Sequence, residues 1–341
     1  MLSLLATELS SRGHTVNIIK FNTEKDQPFF SLDSSVQVHS LGFLNAKIGF
    51  PFLISRGILQ MRKIARTVNP DIIISFLNGT SNLTLLTLSS LRIPIVVSDH
   101  THPAYYGRWF PLRTYLYRYA SAVQVPTETV ASIYQVRGIK EVTAIGNTVR
   151  VPSSLKTHYD LKPRKIVSLG RLKKEKGFDL LIEAFSRLTV KYPDLQLTIW
   201  GEGPEREALA KLIEQKNSRG RVRLPGKVED VDSCLSEADI FVLPSLVEGF
   251  SMVLCEAMAV GLPVVSFDCP SGPGDIITHG KDGMLVPTKD VQALVEAVSK
   301  LIENPTECER LGKEAKRIVE RFSIQKATNE FEELFERVVS Q

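Results

Sequence analysis

The sequence predicts an α/β protein with two doubly wound domains, each a parallel sheet covered by helices. Three observations predict this class. The 341 residues suit two domains of about 150 residues each. Short runs rich in β-branched residues alternate with helical patterns along the whole chain, as is typical of parallel sheets. The alternation starts again after residues 147–164, a polar stretch containing prolines that we interpret as a linker.

The elements follow in order from the hydrophobic pattern. A helix is predicted at residues 2–12, where Leu2, Leu5 and Leu9 share one face and Gly13 ends the helix. The strands predicted in the first half are 16–21, 36–41, 71–76, 94–98, 122–126 and 142–146. The strands predicted in the second half are 164–170, 196–200, 222–225, 240–244, 263–267 and 284–287.

These elements define the domain organisation. We place an amino-terminal domain at residues 1–152 and a second domain at 153–322. A last helix at 323–341 is expected to pack back on the first domain. Doubly wound domains normally open with a strand and a glycine-rich turn, and here neither precedes the first helix. Either the chain simply begins with a helix or the first strand is missing, and we favour a domain truncated at its start.

The composition excludes several classes of protein. With 43% hydrophobic and 23% charged residues, the chain is neither disordered nor fibrous. The net charge of +4 gives no reason to expect nucleic acid as a partner. No uninterrupted apolar stretch reaches about 18 residues, and the first residues are too polar for a signal peptide. The four cysteines lack metal-ligand spacing, so we interpret them as reduced thiols of a cytoplasmic protein.

Residues 244–263 carry the strongest functional pattern. Ser251 is a good helix N-cap and Gly261 is a stop signal, which predicts a helix at Met252–Val260. This helix follows the strand predicted at 240–244, so its positive end points to the edge where open α/β sheets bind their ligands. Free backbone amides at that position suit a phosphate group.

Charged side chains at the same edge extend this candidate site. Glu248 precedes the helix and Glu256 lies on its second turn, where both carboxylates can accept hydrogen bonds from sugar hydroxyls. Arg171 and Lys176 follow the first strand of the second half and can neutralise a diphosphate. The alternative for each of these residues is an ordinary solvated side chain.

Two short patterns raise the question of a metal ion. Asp230 and Asp232 form a DxD pattern, but they precede a helix predicted at 234–238, where Asp is a common cap. His100 and His102 lack a third ligand. We therefore expect no metal and no cofactor.

Taken together, these patterns resemble the retaining glycosyltransferases of family 4. The matching features are Arg171 with Lys176, the turn 201–204, the segment 226–228, and the Glu-x7-Glu pattern of Glu248 and Glu256 followed by Gly-Leu-Pro-Val-Val. Segments 98–103 and 267–273 are similar to those of bacterial enzymes that build exopolysaccharide, capsule, lipopolysaccharide or lipid-linked oligosaccharide. The resemblance implies the GT-B fold, in which two Rossmann-like domains face a cleft. The second domain would hold a nucleotide sugar and the first an acceptor.

The resemblance also implies a role for each matching residue. Arg171 and Lys176 would hold the donor phosphates and stabilise the departing nucleotide diphosphate. Glu256 would bind the ribose, Glu248 the hydroxyls of the donor sugar, and Val228 the base through its main chain. The backbone amides that would contact sugar and phosphate are those of Gly249, Phe250, Ser251, Met252, Val253 and Leu254.

The implied reaction is the transfer of a hexose-type sugar with retention, from a nucleotide sugar with UDP as the expected nucleotide. The acceptor would be a lipid-linked glycan or a polysaccharide. His100 would reach the donor sugar from the first domain and completes the predicted catalytic set with Arg171, Lys176 and Glu248. No dedicated nucleophile is evident, because the two glutamates are assigned to binding.

Two other functions stay open at this point. Family members usually open with a strand and a Gly-Gly loop that contacts donor phosphate, whereas this chain starts in the helix that follows. A donor-binding but inactive truncated glycosyltransferase, or a partner subunit, is the main alternative. A nicotinamide-dependent oxidoreductase fits less well, because the turn 201–204 lacks the third glycine of a dinucleotide site.

Residues 105–119 suggest contact with a membrane surface. Arginines there alternate with Trp, Phe and Tyr, a mixture that suits the headgroup region of an anionic bilayer. The alternative is an amphipathic helix packed on the first sheet. A lipid-linked acceptor would make a peripheral position on the cytoplasmic face of the inner membrane natural.

Overall fold

The computed structural model describes residues 1–21, 32–41, 50–160 and 162–340. These residues form two compact units. The first unit comprises Met1–Thr148 together with Ile324–Gln341, and the second comprises Val149–Ser323. The chain therefore crosses from one unit to the other a few residues from the boundaries that we placed in the sequence.

The first unit contains two parallel sheets. Its elements are α1 (Leu2–Ser11), β1 (Asn17–Lys20), β2 (Gln37–Ser40), α2 (Phe50–Val68), β3 (Ile73–Phe76), α3 (Asn78–Leu88), β4 (Ile95–Ser98), α4 (Phe110–Arg113), β5 (Ala122–Val125), α5 (Glu128–Val136) and β6 (Val142–Ala144). Short 3-10 helices lie at Ser89–Leu91, Pro103–Trp109 and Tyr115–Tyr119. Strands β3, β4, β5 and β6 pair in that order, and β1 pairs with β2.

The second unit is built on one sheet of six parallel strands. Its elements are β7 (Lys165–Leu169), a 3-10 helix (Lys174–Lys176), α6 (Phe178–Lys191), β8 (Gln196–Trp200), α7 (Arg206–Gln215), β9 (Val222–Gly226), α8 (Val231–Ser236), β10 (Ile240–Leu243), α9 (Met252–Val260), β11 (Val264–Asp268), α10 (Pro273–Ile276), β12 (Met284–Pro287), α11 (Val291–Glu303), α12 (Pro305–Ala315) and α13 (Ile318–Arg321). The strand order is β12-β11-β10-β7-β8-β9.

The core of the second unit follows from the two-residue period of a strand. On β10, Ile240 and Val242 pack into one hydrophobic cluster, whereas Phe241 and Leu243 pack into another. All four side chains are buried, because helices cover both faces of a parallel sheet. Central strands such as β10 therefore appear in the sequence as continuous apolar runs.

The last helix, α14 (Ile324–Val339), belongs to the first unit. Its Phe331 and Leu334 share a buried cluster with Leu5 and Leu9 of α1. Arg12, at the end of α1, also forms an ion pair of 2.7 Å with Glu332. Residues from both ends of the chain thus pack together in this unit.

The predicted fold class, α/β with parallel sheets in two domains, is confirmed, although the strands of the first unit divide into a four-stranded and a two-stranded sheet. The observed strands lie within two residues of the predicted bounds, and α9 has the bounds that the sequence predicts. One helix was placed wrongly. The helix predicted at 234–238 is α8, which begins at Val231 because the carboxylate of Asp230 caps it by accepting from the amide of Ser233. All four cysteines are free, and Cys255, Cys269 and Cys308 are buried.

Candidate functional site

The candidate site of the second unit lies at the carboxyl end of its central strands. Strands β7 and β10 are neighbours, so the loops that follow them lie side by side. The amide of Leu246 donates to the carbonyl of Glu175 at 2.8 Å and joins the two loops. Gly177 has φ +63°, and a Cβ there would lie 2.1 Å from the carbonyl oxygen of Pro244. Only glycine allows this close approach.

This approach brings Lys176 against Glu248. The Nζ atom of Lys176 lies 2.6 Å from Oε1 of Glu248, and their side chains are only 19% and 7% exposed. Removing one member of such a shielded pair leaves the other charge without a partner. The structure therefore brings together a cation that can bind a phosphate group and a carboxylate that can accept hydrogen bonds from hydroxyl groups.

The loop that carries Glu248 is held from its other side by the segment 271–272. The hydroxyl of Ser271 donates to the carbonyl oxygen of Glu248 at 2.5 Å. Gly272 has φ +89°, and a Cβ on it would lie 3.1 Å from Cβ of Glu248. The segment 267–273, which the sequence singled out, thus fixes the position of the Glu248 loop.

The amino terminus of α9 differs in one respect from the prediction. Ser251 occupies the N-cap position, but its hydroxyl forms no capping hydrogen bond. The hydroxyls of Ser251 and of Ser245 are buried and have no hydrogen-bond partner among the described residues. Buried hydroxyls normally find a partner, so this end of α9 has hydrogen-bonding capacity left for a ligand.

Glu256 lies one turn further along α9 and is half-buried. Burial raises the pKa of its carboxyl group, Arg150 lowers it, and Asp232 raises it. No hydrogen bond or ion pair within the described part of the chain holds this carboxylate. A half-buried carboxylate without a direct partner is unfavourable in the free protein and is suited to accept hydroxyl groups.

The DxD pattern is used within the protein. Arg150 donates to both oxygens of Asp232, at 2.7 and 2.8 Å, and Ser153 donates to it from its amide and its hydroxyl. Burial raises the pKa of Asp232, but the bonds from Ser153 and Arg150 bring it below its ordinary value. Asp230 caps α8. Within the described residues, no group of three His, Cys, Asp or Glu side chains is arranged to hold a metal. The expectation of metal independence stays a prediction.

Arg171 and Val228 lie on two loops at the same edge of the sheet, after β7 and β9. Arg171 is exposed just after β7 and forms no ion pair with any described residue. Val228 follows β9 and packs, half-buried, against the cluster that contains α9. Between them is the turn 201–204, where a Cβ on Gly201 would lie 1.8 Å from the carbonyl oxygen of Gly170. The prediction of a tight strand-to-helix turn at this place agrees with the structure, since α7 begins at Arg206.

In the first unit, His100 follows β4. Its ring stacks on Phe76 with ring centres 6.0 Å apart. Its Nε2 atom lies 2.8 Å from Oγ of Ser98. Burial lowers the pKa of His100, and the negative charge of Asp99 opposes this shift. The ring is therefore neutral at pH 7. His102 is buried, and its Nδ1 accepts from the amide of Ala104.

Sequence reasoning missed the role of Asp99. This residue is fully buried between Ser98 and His100. Its carboxylate accepts from the hydroxyls of Tyr134 at 2.8 Å, Tyr117 at 2.9 Å and Tyr106 at 3.3 Å. Burial raises the pKa of Tyr117 and Tyr134, so both phenols stay protonated donors. The signal in the sequence was an acidic residue directly after an apolar strand, followed by a tyrosine-rich segment.

The segment 105–119 is not one amphipathic helix. It consists of the 3-10 helices Pro103–Trp109 and Tyr115–Tyr119 with α4 between them, and Gly107 breaks the first with φ +49°. Phe110 and Tyr117 are buried. The outer side chains form a surface that we call the aromatic-arginine face: Tyr105, Arg108, Trp109, Leu112, Tyr115, Arg118 and Tyr119. Within the described helices, none has both the length and the apolar character needed to cross a membrane.

Two family models match the chain. Residues 2–153 match Glycosyltransferase Family 4, and residues 155–318 match Glycosyl transferases group 1. The first match covers nearly all of the first unit apart from α14, and the second covers most of the second unit. The boundary between the matches lies in the linker that the sequence indicated.

Two similar proteins are named as transferases. The chain is 28% identical to exopolysaccharide phosphotransferase SCO2592 of Streptomyces coelicolor, over 98% of this chain but only 38% of that protein's length. It is 26% identical to the GalNAc-α-(1→4)-GalNAc-α-(1→3)-diNAcBac-PP-undecaprenol α-1,4-N-acetyl-D-galactosaminyltransferase of Campylobacter jejuni, over 96% of this chain and 91% of that protein.

A solved structure shares the fold. The crystal structure of Anabaena Alr3699/HepE in complex with UDP-glucose matches with a TM-score of 0.75 at 19% identity. The match covers 89% of this chain and 86% of that chain. The architecture is that of the GT-B proteins, with two Rossmann-like sheets.

Proposed function

Because the chain belongs to the glycosyltransferases that join a family 4 domain to a group 1 domain, we propose that it transfers a sugar from a nucleotide sugar. UDP is the proposed nucleotide, and the acceptor is a lipid-linked glycan or a polysaccharide of the bacterial surface. One observation carries this proposal: the pairing of Lys176 with Glu248 beside the free end of α9.

We expect the bound donor to separate Lys176 from Glu248 and to contact both side chains. A phosphate oxygen binds the ammonium group of Lys176, and Arg171 adds a second cation from the same loop after β7. Glu248 then accepts hydrogen bonds from hydroxyls of the donor sugar. The ligand in this way replaces both halves of the ion pair, so neither charge is left buried without a partner.

Other groups of the second unit complete the proposed donor site. The half-buried carboxylate of Glu256 accepts from the two ribose hydroxyls, and the backbone near Val228 meets the base. The amides of residues 249–254 and the unpartnered hydroxyls of Ser245 and Ser251 serve the phosphate and sugar oxygens.

The proposed reaction proceeds with retention of configuration and without a metal. Lys176 and Arg171 stabilise the charge that develops on the departing diphosphate, which is the electrostatic part of catalysis. The acceptor hydroxyl attacks from the face that the diphosphate leaves, so no carboxylate is needed as a nucleophile. His100, in the first unit, is the remaining proposed catalytic residue.

The aromatic-arginine face suits a lipid-linked acceptor. Its arginines attract anionic headgroups, and its exposed Trp and Tyr rings prefer the boundary between water and acyl chains. We propose that this surface holds the protein against the membrane in which such an acceptor is anchored.

Calorimetric titration of the full chain with UDP, GDP, ADP and their common sugar conjugates tests the donor site. We expect selective binding of a UDP-sugar. The variant Glu256→Gln should weaken it by about 10- to 100-fold, the value of hydrogen bonds to a charged group. The matched control is Glu237→Gln, an exposed residue at the end of α8. Absence of binding by any nucleotide would overturn the proposal, and binding without transfer to any glycan acceptor would favour the inactive alternative.

A further inference from the structure

A buried glutamine connects His100 to the interior of the first sheet. Gln124 lies on β5 and is fully buried. Its Nε2 atom is 2.7 Å from the carbonyl oxygen of Ile145 and 3.0 Å from that of Val125. Carbonyl oxygens only accept hydrogen bonds, so the atom between them must be the amide nitrogen, and both of its hydrogens are used. The orientation of the amide is thereby fixed, with Oε1 directed at Ser98.

The direction of the next hydrogen bond follows from this orientation. Oγ of Ser98 lies 2.5 Å from Oε1 of Gln124. The amide oxygen can only accept, so the hydroxyl hydrogen of Ser98 points to Gln124. Ser98 is itself fully buried. Oγ of Ser98 can therefore take part in a further hydrogen bond only as the acceptor, through a lone pair.

The same logic decides the protonation of His100. Its Nε2 atom lies 2.8 Å from Oγ of Ser98 and must donate, because the hydroxyl has no hydrogen left to give. In a neutral ring only one nitrogen carries hydrogen, so Nδ1 carries a lone pair. The side chain of Asn147 also forms a hydrogen bond with the ring, and because Nε2 faces Ser98 this bond involves Nδ1. Its amide can present either N–H or C=O, so it adapts to the tautomer and does not select it.

We propose that Gln124, acting through Ser98, is a positioning residue that fixes His100 as the Nε2-protonated tautomer. Nδ1 is then a hydrogen-bond acceptor, either for the side-chain amide of Asn147 or for a ligand donor that replaces it. The statement about the ligand rests on the proposed function, whereas the tautomer does not. A sugar hydroxyl or amide N–H can donate to Nδ1. A carboxylate cannot, so a neutral sugar is favoured over a uronate at this contact.

The tautomer can be measured on the free, full-length protein. Long-range ¹H–¹⁵N correlation spectra of protein labelled with ¹⁵N-histidine distinguish protonated from unprotonated ring nitrogens, and the signal lost in His100→Gln identifies the residue. We expect His100 to be in the Nε2-protonated form alone at pH 7.5. An Nδ1-protonated ring, or a mixture of both forms, would overturn the proposal.

Variants then test the role of Gln124. Gln124→Met has a similar volume but no amide oxygen, so the Ser98 hydroxyl becomes free to donate and the His100 signals should shift to a mixture of tautomers. Ser98→Ala is a smaller change with the same expected result, and it serves if Gln124→Met does not fold. Spectra of both variants identical to the wild type would contradict the role of the relay.

A matched control comes from the neighbouring strand. Ser75 on β3 is also buried, and its hydroxyl lies 3.1 Å from that of Thr84. Ser75→Ala should leave the His100 spectrum unchanged. If the tautomer is as proposed but no nucleotide sugar binds, the proposed function fails and the assignment of Gln124 stands. The two proposals can therefore fail separately.

Discussion

The ammonium group of Lys176 and the carboxylate of Glu248 form an ion pair of 2.6 Å, although the two residues are 72 positions apart in the chain. The pair exists because β7 and β10 are adjacent and Gly177 lets their loops touch. The site is thus electrically balanced before a ligand arrives, and both of its charges are already in place for a diphosphate and a sugar.

Separate replacement of the two partners should show that they are coupled. Lys176→Met is expected to lower the free energy of unfolding by about 1–3 kcal/mol, because Glu248 loses its partner in a shielded position. The double variant with Glu248→Gln should recover part of this loss, as measured by urea denaturation in a double-mutant cycle.

The control for this cycle is Lys174→Met. Lys174 pairs with Asp179 at the surface, with 69% of its side chain exposed. Its replacement should change the free energy of unfolding by less than about 1 kcal/mol. Purely additive effects of Lys176→Met and Glu248→Gln would show that the pair contributes nothing beyond its separate members.

The carboxylate of Glu256 should lower stability at neutral pH. Burial raises its pKa in the folded state, so the folded protein holds this proton more tightly than the unfolded chain. Its contribution is most favourable below the unfolded pKa of about 4.3 and is lost as the pH rises through the folded value. We therefore expect Glu256→Gln to raise the melting temperature at pH 7 and to leave it unchanged near pH 4. A lower melting temperature at pH 7 would contradict this assignment.

Removal of divalent metals should leave nucleotide-sugar binding unchanged. The carboxylates of Asp230 and Asp232 are bonded to Ser233, Arg150 and Ser153, and are not free to serve as ligands. Calorimetric titration before and after treatment with EDTA tests this. Binding that is lost with EDTA and restored by manganese would instead assign a metal to this pair.

The variant Asp232→Asn separates the structural role from a metal role. It should cost about 1–3 kcal/mol of stability at pH 7, because the asparagine side chain cannot accept all four hydrogen bonds. The pKa of Asp232 is held below its ordinary value of 3.8, so the wild type loses this stabilisation only as the pH falls through the lower, folded value.

The three tyrosine hydroxyls that donate to Asp99 should contribute unequally to the free energy of unfolding. Tyr134 and Tyr117 donate at 2.8 and 2.9 Å, whereas Tyr106 lies at 3.3 Å from both carboxylate oxygens. Replacement of Tyr134 or Tyr117 by Phe should each lower the free energy of unfolding by about 1–3 kcal/mol, and Tyr106→Phe by less. Urea denaturation measures all three. A larger loss for Tyr106 than for the other two would contradict the geometry.

The aromatic-arginine face should bind anionic membranes. Full-length protein is expected to sediment with vesicles that contain phosphatidylglycerol, less with phosphatidylcholine alone, and less at high salt. Trp109→Ala combined with Tyr119→Ala should weaken the binding several-fold. Val190→Ala replaces an even more exposed apolar side chain in the second unit and should have no effect. Equal sedimentation of all three proteins would argue against this surface.

The sequence by itself determined the parallel α/β class, the strands, the helix Met252–Val260 and the motif that indicates the family. Each of these features is encoded within a short stretch of chain, by a two-residue or helical hydrophobic period, a helix cap or a stop signal. The predicted start of α8 was three residues too late, because Asp230 is the N-cap and the helix begins at Val231.

Only the tertiary structure decided which of these residues meet. The partner of Lys176 comes from the loop after another strand, and the phenols on Asp99 come from three later segments. The position of the proton on His100 depends on Gln124 of the strand next to β4. None of these pairings has a period or a spacing in the sequence. They arise because parallel strands bring loops from distant parts of the chain to the same edge of a sheet.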